Sequence, residues 1–395
     1  MKIASRLEHI EPFYVMECAK AASEIAASAL CDPARGGRPM IYLNIGEPDF
    51  GAAPLVREAA QRAIRDGRTQ YTQATGLWTL REQIARWYGR HFNVEVEPQR
   101  IVVTAGASAA LQLACAALFE RGDEVLMPDP CYPCNRHFVA AVDARPVLLP
   151  TDERTRFQPA ADDVAAAWTE HTRGVLLATP SNPIGTSIAP EQLERIVQIT
   201  RERRGVCVVD EIYLGLSYDE RYGHTVLSMA QPDDAVVSVN SFSKYFGMTG
   251  WRLGWLVLPE ALVAPVERLA QNLYICPSTI AQHAALACFA DESIAEFERR
   301  RGELHRRRDY VVDALQRLRL PAPVTPDGAF YAYADCSAHS ASSWDFCFDL
   351  MRRAQVALTP GRDFGRCAPD RYLRLSYASS MAELHEAVAR LQTCL

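Results

Sequence analysis

Between residues 100 and 258, short apolar runs recur between stretches of helical periodicity. The runs cover 101–104, 124–127, 146–149, 174–178, 206–209, 235–239 and 253–258. Helical spacing fills 108–120 and 190–203 between them, and Pro190 suits a first helical turn because its missing N–H costs nothing there. Runs this short and this continuous predict strands buried on both faces. Strands alternating with helices predict a mostly parallel sheet covered on both sides, an α/β domain.

The flanks read differently. Helices are expected over 14–30, 53–65 and 77–91, with a Gly/Pro-rich break at 32–39. After about residue 276 the strands become sparse. A charged helix over 294–318 reaches the breaker Pro321-Ala322-Pro323; then come a strand at 330–334, a helix near 344–354, a strand at 372–376 and a final helix from Met381. This predicts a smaller α+β domain, and the N-terminal helix is expected to join it because chain ends often lie together. Two uncharged stretches, 101–119 and 270–290, have the length of a membrane span. Thr104, Gly106, Ser108 and Gln112 interrupt the first, and Asn272, Pro277 and His283 the second, so both read as broken elements of a soluble fold.

Composition narrows the function. A chain of 395 residues suggests two domains at roughly 150 residues each. At 49% hydrophobic residues it buries a large core without disulfides. Lys+Arg 42 against Asp+Glu 48 gives a net charge of −6 with no basic block, which argues against nucleic-acid binding. Residues 1–12 are charged and carry no apolar core, so no signal peptide is expected, and free thiols then point to a reducing cytoplasm. Among twelve cysteines the one close pair is Cys131 and Cys134; no second pair or matching histidines complete a zinc site, and no metal is expected.

Open α/β sheets bind ligands at the carboxyl ends of their strands. The residues following each run are therefore the candidates. They are Ala105-Gly106-Ala107-Ser108, then Pro128-Asp129-Pro130-Cys131-Tyr132, then Ser181-Asn182-Pro183-Ile184-Gly185, then Asp210-Glu211-Ile212-Tyr213, then Ser241-Phe242-Ser243-Lys244. Singly, each has an ordinary reading: a helix start, a packing aromatic, a turn, an N-cap, a solvated lysine. Together they supply a phosphate-binding turn, a stacking ring, an amide, a carboxylate and a lysine. Those are the parts that hold pyridoxal phosphate, with the lysine as its Schiff-base partner and an acid on the pyridinium nitrogen. No G-x-G-x-x-G, Walker-type loop, H-E-x-x-H or G-x-S-x-G is present.

The segment from Ser241-Phe242-Ser243-Lys244-Tyr245-Phe246-Gly247 to Gly250-Trp251-Arg252-Leu253-Gly254-Trp255 resembles the lysine motif of the class I/II pyridoxal-phosphate-dependent aminotransferases, nearest the prokaryotic aspartate-aminotransferase-like subgroup. Asn44-Ile45-Gly46-Glu47-Pro48-Asp49-Phe50, the stretch 71–76, Thr104 to Ser108, Ser181 to Gly185, Asp210 to Tyr213, Gly328 to Tyr331 and Arg374-Leu375-Ser376-Tyr377 match the family in order and spacing. The resemblance covers nearly the whole chain. It implies fold type I: a large domain, 45–275, around a mostly parallel seven-stranded sheet, and a small α+β domain made of 1–44 and 276–395.

The resemblance also implies roles. Lys244 would carry the cofactor and shuttle the proton between substrate and cofactor, Asp210 would pair with the pyridinium N–H, and Asn182 and Tyr213 would hydrogen-bond the phenolic oxygen. Tyr132 would stack on the ring. Gly106, Ala107 and Ser108 with Ser241, Ser243 and Arg252 would hold the phosphate, and Tyr71 would reach the phosphate of a partner subunit in a homodimer. Arg374, helped by the Gly46 backbone, would clamp the substrate α-carboxylate. Phe13, Tyr14, Tyr331 and Phe364 are candidates for an apolar side-chain pocket.

The implied activity is ping-pong amino transfer from an L-amino acid to a 2-oxo acid, 2-oxoglutarate or pyruvate. Some dicarboxylate-using relatives carry lysine directly after the phosphate-turn glycines. Ser108 stands there here, so neutral or aromatic donors are expected over aspartate. The rival readings are a C–S β-lyase or another pyridoxal-phosphate reaction on the same fold, a non-catalytic regulator, and a nicotinamide oxidoreductase with an unrecognised fingerprint.

Overall fold

The computed structural model describes residues 2–12 and 14–395. Its strands, in chain order, are β1 (Ile41–Tyr42), β2 (Ile101–Thr104), β3 (Glu124–Asp129), β4 (Arg145–Pro150), β5 (Thr172–Ala178), β6 (Val206–Asp210), β7 (Val236–Ser241), β8 (Gly254–Val257), β9 (Tyr331–Asp335), β10 (Val356–Ala357), β11 (Thr359–Pro360) and β12 (Tyr372–Ser376). The α-helices are α1 (Tyr14–Ala26), α2 (Pro54–Arg65), α3 (Trp78–Phe92), α4 (Ala107–Leu118), α5 (Pro133–Ala141), α6 (Ala161–Ala167), α7 (Pro190–Glu202), α8 (Glu260–Leu273), α9 (Thr279–Ala285), α10 (Asp291–Arg317), α11 (Ser343–Arg353) and α12 (Met381–Cys394). Each apolar run of the central region becomes a strand of one seven-stranded sheet, ordered β2-β8-β7-β6-β5-β3-β4.

Except at the edge strand β4, which is only partly covered, the strands of that sheet are buried on both faces, as the unbroken apolar runs predict. Neighbouring residues of one strand enter opposite layers: Val102 and Val103, Val125 and Leu126, Leu176 and Leu177, Val208 and Val209 divide between two separate apolar clusters. One cluster takes in α4 and α8, the other α2, α3 and α7. Pro54 and Pro190 each open their helix at its first turn. None of the helices among the described residues is long and apolar enough to cross a membrane.

β8 breaks the parallel pattern. It pairs antiparallel with both β2 and β7, while β3, β4, β5, β6 and β7 pair in parallel. Six strands therefore point their carboxyl ends at one edge, and β8 begins there. Gly254, its first residue, lies between Thr104 and Ser241. The reversal delivers Arg252, two residues earlier, to the edge where β2 and β7 end.

The remainder forms a three-stranded antiparallel sheet, β11-β12-β9, and a two-stranded parallel pair in which Ile41 meets Val356. α1 and α11 pack with this pair. α12 starts on a capping box between Ser380 and Glu383. The uncharged stretch 270–290 is broken into the end of α8, α9 and a short 3-10 turn, Leu286–Phe289. α9 packs on α2 and α3.

Candidate active site

The carboxyl edge of the large sheet gathers the predicted residues. Asp210 ends β6 with its side chain buried, and its Oδ1 accepts the Ile212 N–H at 3.1 Å. Burial pushes its carboxyl up to about 6, against the attraction of Lys244. Lys244 follows β7 by three residues, and its Nζ donates to the Gly46 carbonyl at 2.6 Å. Burial lowers its amine to about 8; Glu47 opposes that, whereas the cations Arg374 and Arg252 reinforce it. The same Nζ stands 5.8 Å from the Tyr213 ring centre and 5.5 Å from that of Phe330.

The turn after β2 is built for close approach. Gly106 has φ +86°, a conformation that glycine adopts freely, and it caps α4. A Cβ there would come 2.7 Å from Arg252 Nη2. Gly254 is equally tight: its Cβ would sit 2.8 Å from the Gly106 carbonyl carbon and 2.9 Å from the Ala107 nitrogen. Two glycines thus let the start of α4, the end of β7 and Arg252 crowd together. The buried Ser241 hydroxyl donates to the Ser243 hydroxyl at 2.9 Å and lies 3.1 Å from the Leu253 carbonyl. Ser108, by contrast, is exposed on the first turn of α4.

Arg374 lies in β12 and is only 3% exposed, so its guanidinium faces the protein interior rather than solvent. Its Nη1 donates to Asn182 Oδ1 at 2.8 Å and its Nη2 to the Asn44 carbonyl at 2.7 Å. Its Nε and the hydroxyl of Ser181 are buried without a partner among the described residues. The guanidinium lies between two rings, 4.5 Å from Tyr331 and 5.0 Å from Phe364. Tyr331 and Phe364, expected to line a side-chain pocket, are fully buried and wall the arginine. The Tyr331 hydroxyl also lies 2.9 Å from that of Tyr213, and burial holds the Tyr213 hydroxyl well above its ordinary range.

Tyr132 caps α5 after β3 and is largely enclosed; burial, with Cys134 beside it, raises its hydroxyl. Cys131 and Cys134 are free thiols, the first raised to about 12 by burial. Tyr14 packs edge-on against Trp344 at 5.9 Å, with Arg362 over its ring at 5.1 Å. Phe13 lies outside the described residues. Tyr71 stands apart from the cluster, 84% exposed in a groove with Trp78, Thr279 and His283.

Sequence reasoning missed the supports. Arg307 of α10, itself buried, forks onto Asp49 at 2.8 and 3.1 Å and onto the Ala378 carbonyl at 2.8 Å, which fixes the 44–50 segment under Lys244. In sequence it is one arginine among many on a charged helix, and nothing marked it. Asp327 holds the Asn182 loop by accepting the Ser187 N–H at 3.0 Å, with Arg156 as its counter-ion. The sign available for it was only its place beside the glycine of the Gly328–Tyr331 motif.

The family model "Aminotransferase class I and II" matches residues 38–391. A valine–pyruvate aminotransferase of Mycobacterium tuberculosis is 37% identical over 98% of this chain and 97% of its own. An aspartate aminotransferase of Pyrococcus horikoshii is 33% identical over 90% of each chain. The crystal structure of an aminotransferase from Mycobacterium tuberculosis superposes with a TM-score of 0.93 at 36% identity, covering 100% of this chain and 99% of that one. With a half-buried lysine and a buried carboxylate at the sheet edge and a family match over nearly its whole length, this chain belongs to the class I and II aminotransferases, which work with pyridoxal phosphate.

Proposed function

We propose that the Lys244 cluster is the amino-transfer site and that its preferred donors are neutral or aromatic L-amino acids. One observation carries the reading. Lys244 Nζ and Arg374 Nη2 are held by the carbonyls of Gly46 and Asn44, two positions apart on one strand of chain. A base and a carboxylate-binding fork are thereby set at a fixed separation, as a reaction at Cα of an amino acid needs.

The residues fit the cofactor. The crowded turn at Gly106 beside Arg252 suits an anion that replaces a side chain, at a helix start where amides and dipole favour negative charge. Asp210 is a buried acceptor suited to a ring N–H. When bound, pyridoxal phosphate supplies an electron sink that lets an amino acid lose its Cα proton. Lys244 would hold the cofactor covalently and, with its amine free, would move the proton from the substrate Cα to the cofactor's C4′ carbon. Its lowered basicity leaves a fraction of the amine neutral near pH 7. Asp210 would pair with the ring N–H and keep that nitrogen protonated. Tyr213 and Asn182 would donate to the ring oxygen, and Tyr132 would stack on the ring. The backbone amides of Ala107 and Ser108, with Ser241, Ser243 and Arg252, would take the phosphate. Arg374 binds the substrate carboxylate, with Asn182 and the Gly46 backbone orienting it.

Donor preference rests on Ser108, which brings no cation to the position where a distal carboxylate would need one. The name of the Mycobacterium relative pairs a neutral donor with pyruvate, in line with this, whereas the Pyrococcus relative is named for aspartate. Pyruvate and 2-oxoglutarate are the proposed acceptors. Tyr14 and Tyr331 are proposed at the substrate side of the pocket. We further read the chain as a large domain, 45–275, and a small one, 1–44 with 276–395, acting as a homodimer in the cytoplasm. Tyr71 would serve the partner's phosphate site, and Leu273 and Ile275, over half exposed, suit a covered surface nearby.

The test is near-visible absorbance during addition of single amino acids. Conversion of the pyridoxal band to the pyridoxamine band by valine or phenylalanine, reversed by pyruvate or 2-oxoglutarate, supports the reading. Turnover that instead releases ammonia would replace it with a lyase. Sedimentation equilibrium decides the homodimer.

A further inference from the structure

The N-terminal segment is fastened to the rest of the chain at three places. Arg6 donates to the Ala141 carbonyl at 3.2 Å and pairs with Asp143 at 3.2 Å, where α5 ends. Glu11 pairs with Arg136 of α5 at 3.3 Å. Tyr14, the first residue of α1, donates its N–H to Asp363 Oδ1 at 2.9 Å. In each of the first two one partner is well exposed, Arg6 and Glu11, and such pairs contribute little. The third is of another kind.

Asp363 has no exposed surface, and its Oδ2 is buried without a partner among the described residues. The first amides of a helix lack partners inside it. Asp363 supplies an anionic acceptor to those of α1 from 349 positions away, which also suits the helix dipole. Its backbone carbonyl accepts Arg136 Nη2 at 3.2 Å, so one residue joins α1 to α5, the helix that Tyr132 caps. The next residue, Phe364, is a wall of Arg374. Burial pushes the Asp363 carboxyl up to about 6, and the foremost influence holding it down is Arg374.

We propose that Asp363 is a positioning residue for amino transfer: by capping α1 it latches the N-terminal segment onto the turn that presses Phe364 against Arg374, so that docking of the segment and seating of the substrate carboxylate support each other. The proposal rests on the reading of Arg374 as the carboxylate site. It gives Asp363 no contact with cofactor or substrate.

The experiment uses the holoenzyme and three variants, with trypsin cleavage at the exposed Lys20 of α1 as a readout independent of turnover. In Asp363→Ala, KM for the donor is expected to rise about fivefold, with kcat held within about twofold. The bound-cofactor spectrum should not change. Cleavage at Lys20 should become faster and lose its slowing by saturating 2-oxo acid. Asp363→Asn keeps an acceptor for the Tyr14 N–H and should restore most of both effects. Arg374→Lys should raise KM without speeding cleavage in the absence of ligand. Wild-type cleavage in Asp363→Ala would refute the latch. A shifted cofactor spectrum with kcat falling as steeply as KM rises would refute it too, in favour of a direct role. An unchanged KM in Arg374→Lys would refute the carboxylate reading, and with it the coupling, while the cleavage rates still decide whether Asp363 holds α1.

Discussion

Gly46 and Tyr331 meet across the space a side chain would need: a Cβ on Gly46 would come 2.1 Å from the Tyr331 hydroxyl and 3.2 Å from its ring carbon. Tyr331 has little freedom to retreat, because it stacks on Arg374 and its hydroxyl lies against that of Tyr213. Gly46→Ala should therefore displace the ring, and Arg374 with it. We expect kcat/KM to fall by about 10²-fold, the order of effect of misplacing a binding group by an ångström. Adding Tyr331→Phe removes the nearest atom and should recover part of the loss. A single variant with unchanged kinetics would show that the contact does not position the arginine.

Lys244 should reveal its environment through pH. Only the neutral amine condenses with an aldehyde, so the rate at which the apoprotein captures pyridoxal phosphate should rise with pH to a midpoint near 8 and then level. An ordinary lysine would give a rate still climbing beyond pH 10. Stopped-flow absorbance measures it. Lys244→Ala should retain less than about 10⁻² of kcat, since proton transfer by a positioned base contributes about 10²–10⁴-fold. A normal transamination rate in that variant would defeat the mechanism.

Asp210 links the cofactor to stability. In the apoprotein its folded pKa is raised to about 6 from 3.8. Between those values the native state binds the extra proton, so this group's contribution to stability falls as pH rises from 3.8 to 6 and stays low above. A pyridinium partner offsets the penalty. The gap between the melting temperatures of holoprotein and apoprotein should hence widen from pH 5 to pH 7. In Asp210→Asn that widening should vanish and kcat should fall by about 10²-fold or more, as expected when a charged partner of the reacting ring is lost.

The large sheet was legible because its signal is local. Seven unbroken apolar runs became seven strands, six of them buried on both faces and the edge strand β4 only partly, with boundaries moved by a few residues at most. Direction is not carried by such a run, so the reversal of β8 and its delivery of Arg252 could not be read from Leu253 to Leu258. β1, β10 and β11 have two residues each, too few for any period. α5 was hidden because Tyr132-Pro133-Cys134 reads as a turn, although Pro133 is its first helical residue. At the site, Lys244, Asp210 and Arg374 carried motif signals. Their supports did not. Arg307 to Asp49 spans 258 positions and Tyr14 to Asp363 spans 349, and only the folded chain brings such pairs together. Phe364 and Tyr331 were recognised as apolar, but their service to Arg374 follows from a stacking geometry that hydrophobicity does not encode.

Ser108 offers the sharpest test of donor preference, because changing it alters charge without disturbing the core. It is exposed at the second position of α4, next to the turn that Gly106 shapes. A lysine there would find room, and its ammonium would stand at the mouth of the site. It would also oppose the dipole of α4, which costs about 0.3–1 kcal/mol at a helix start, so a small fall in melting temperature is expected. If the absence of a cation at this position is what disfavours aspartate, Ser108→Lys should raise kcat/KM for aspartate relative to valine by about tenfold, the value of one charge-assisted hydrogen bond. The change should appear in KM for aspartate and leave valine nearly unaffected, because a neutral side chain offers the new charge nothing to bind. Should the ratio stay fixed while the melting temperature falls as expected, the lysine is in place and unused. The side-chain pocket must then be read by other residues, with Tyr14 and its neighbours Arg362 and Trp344 the next to examine.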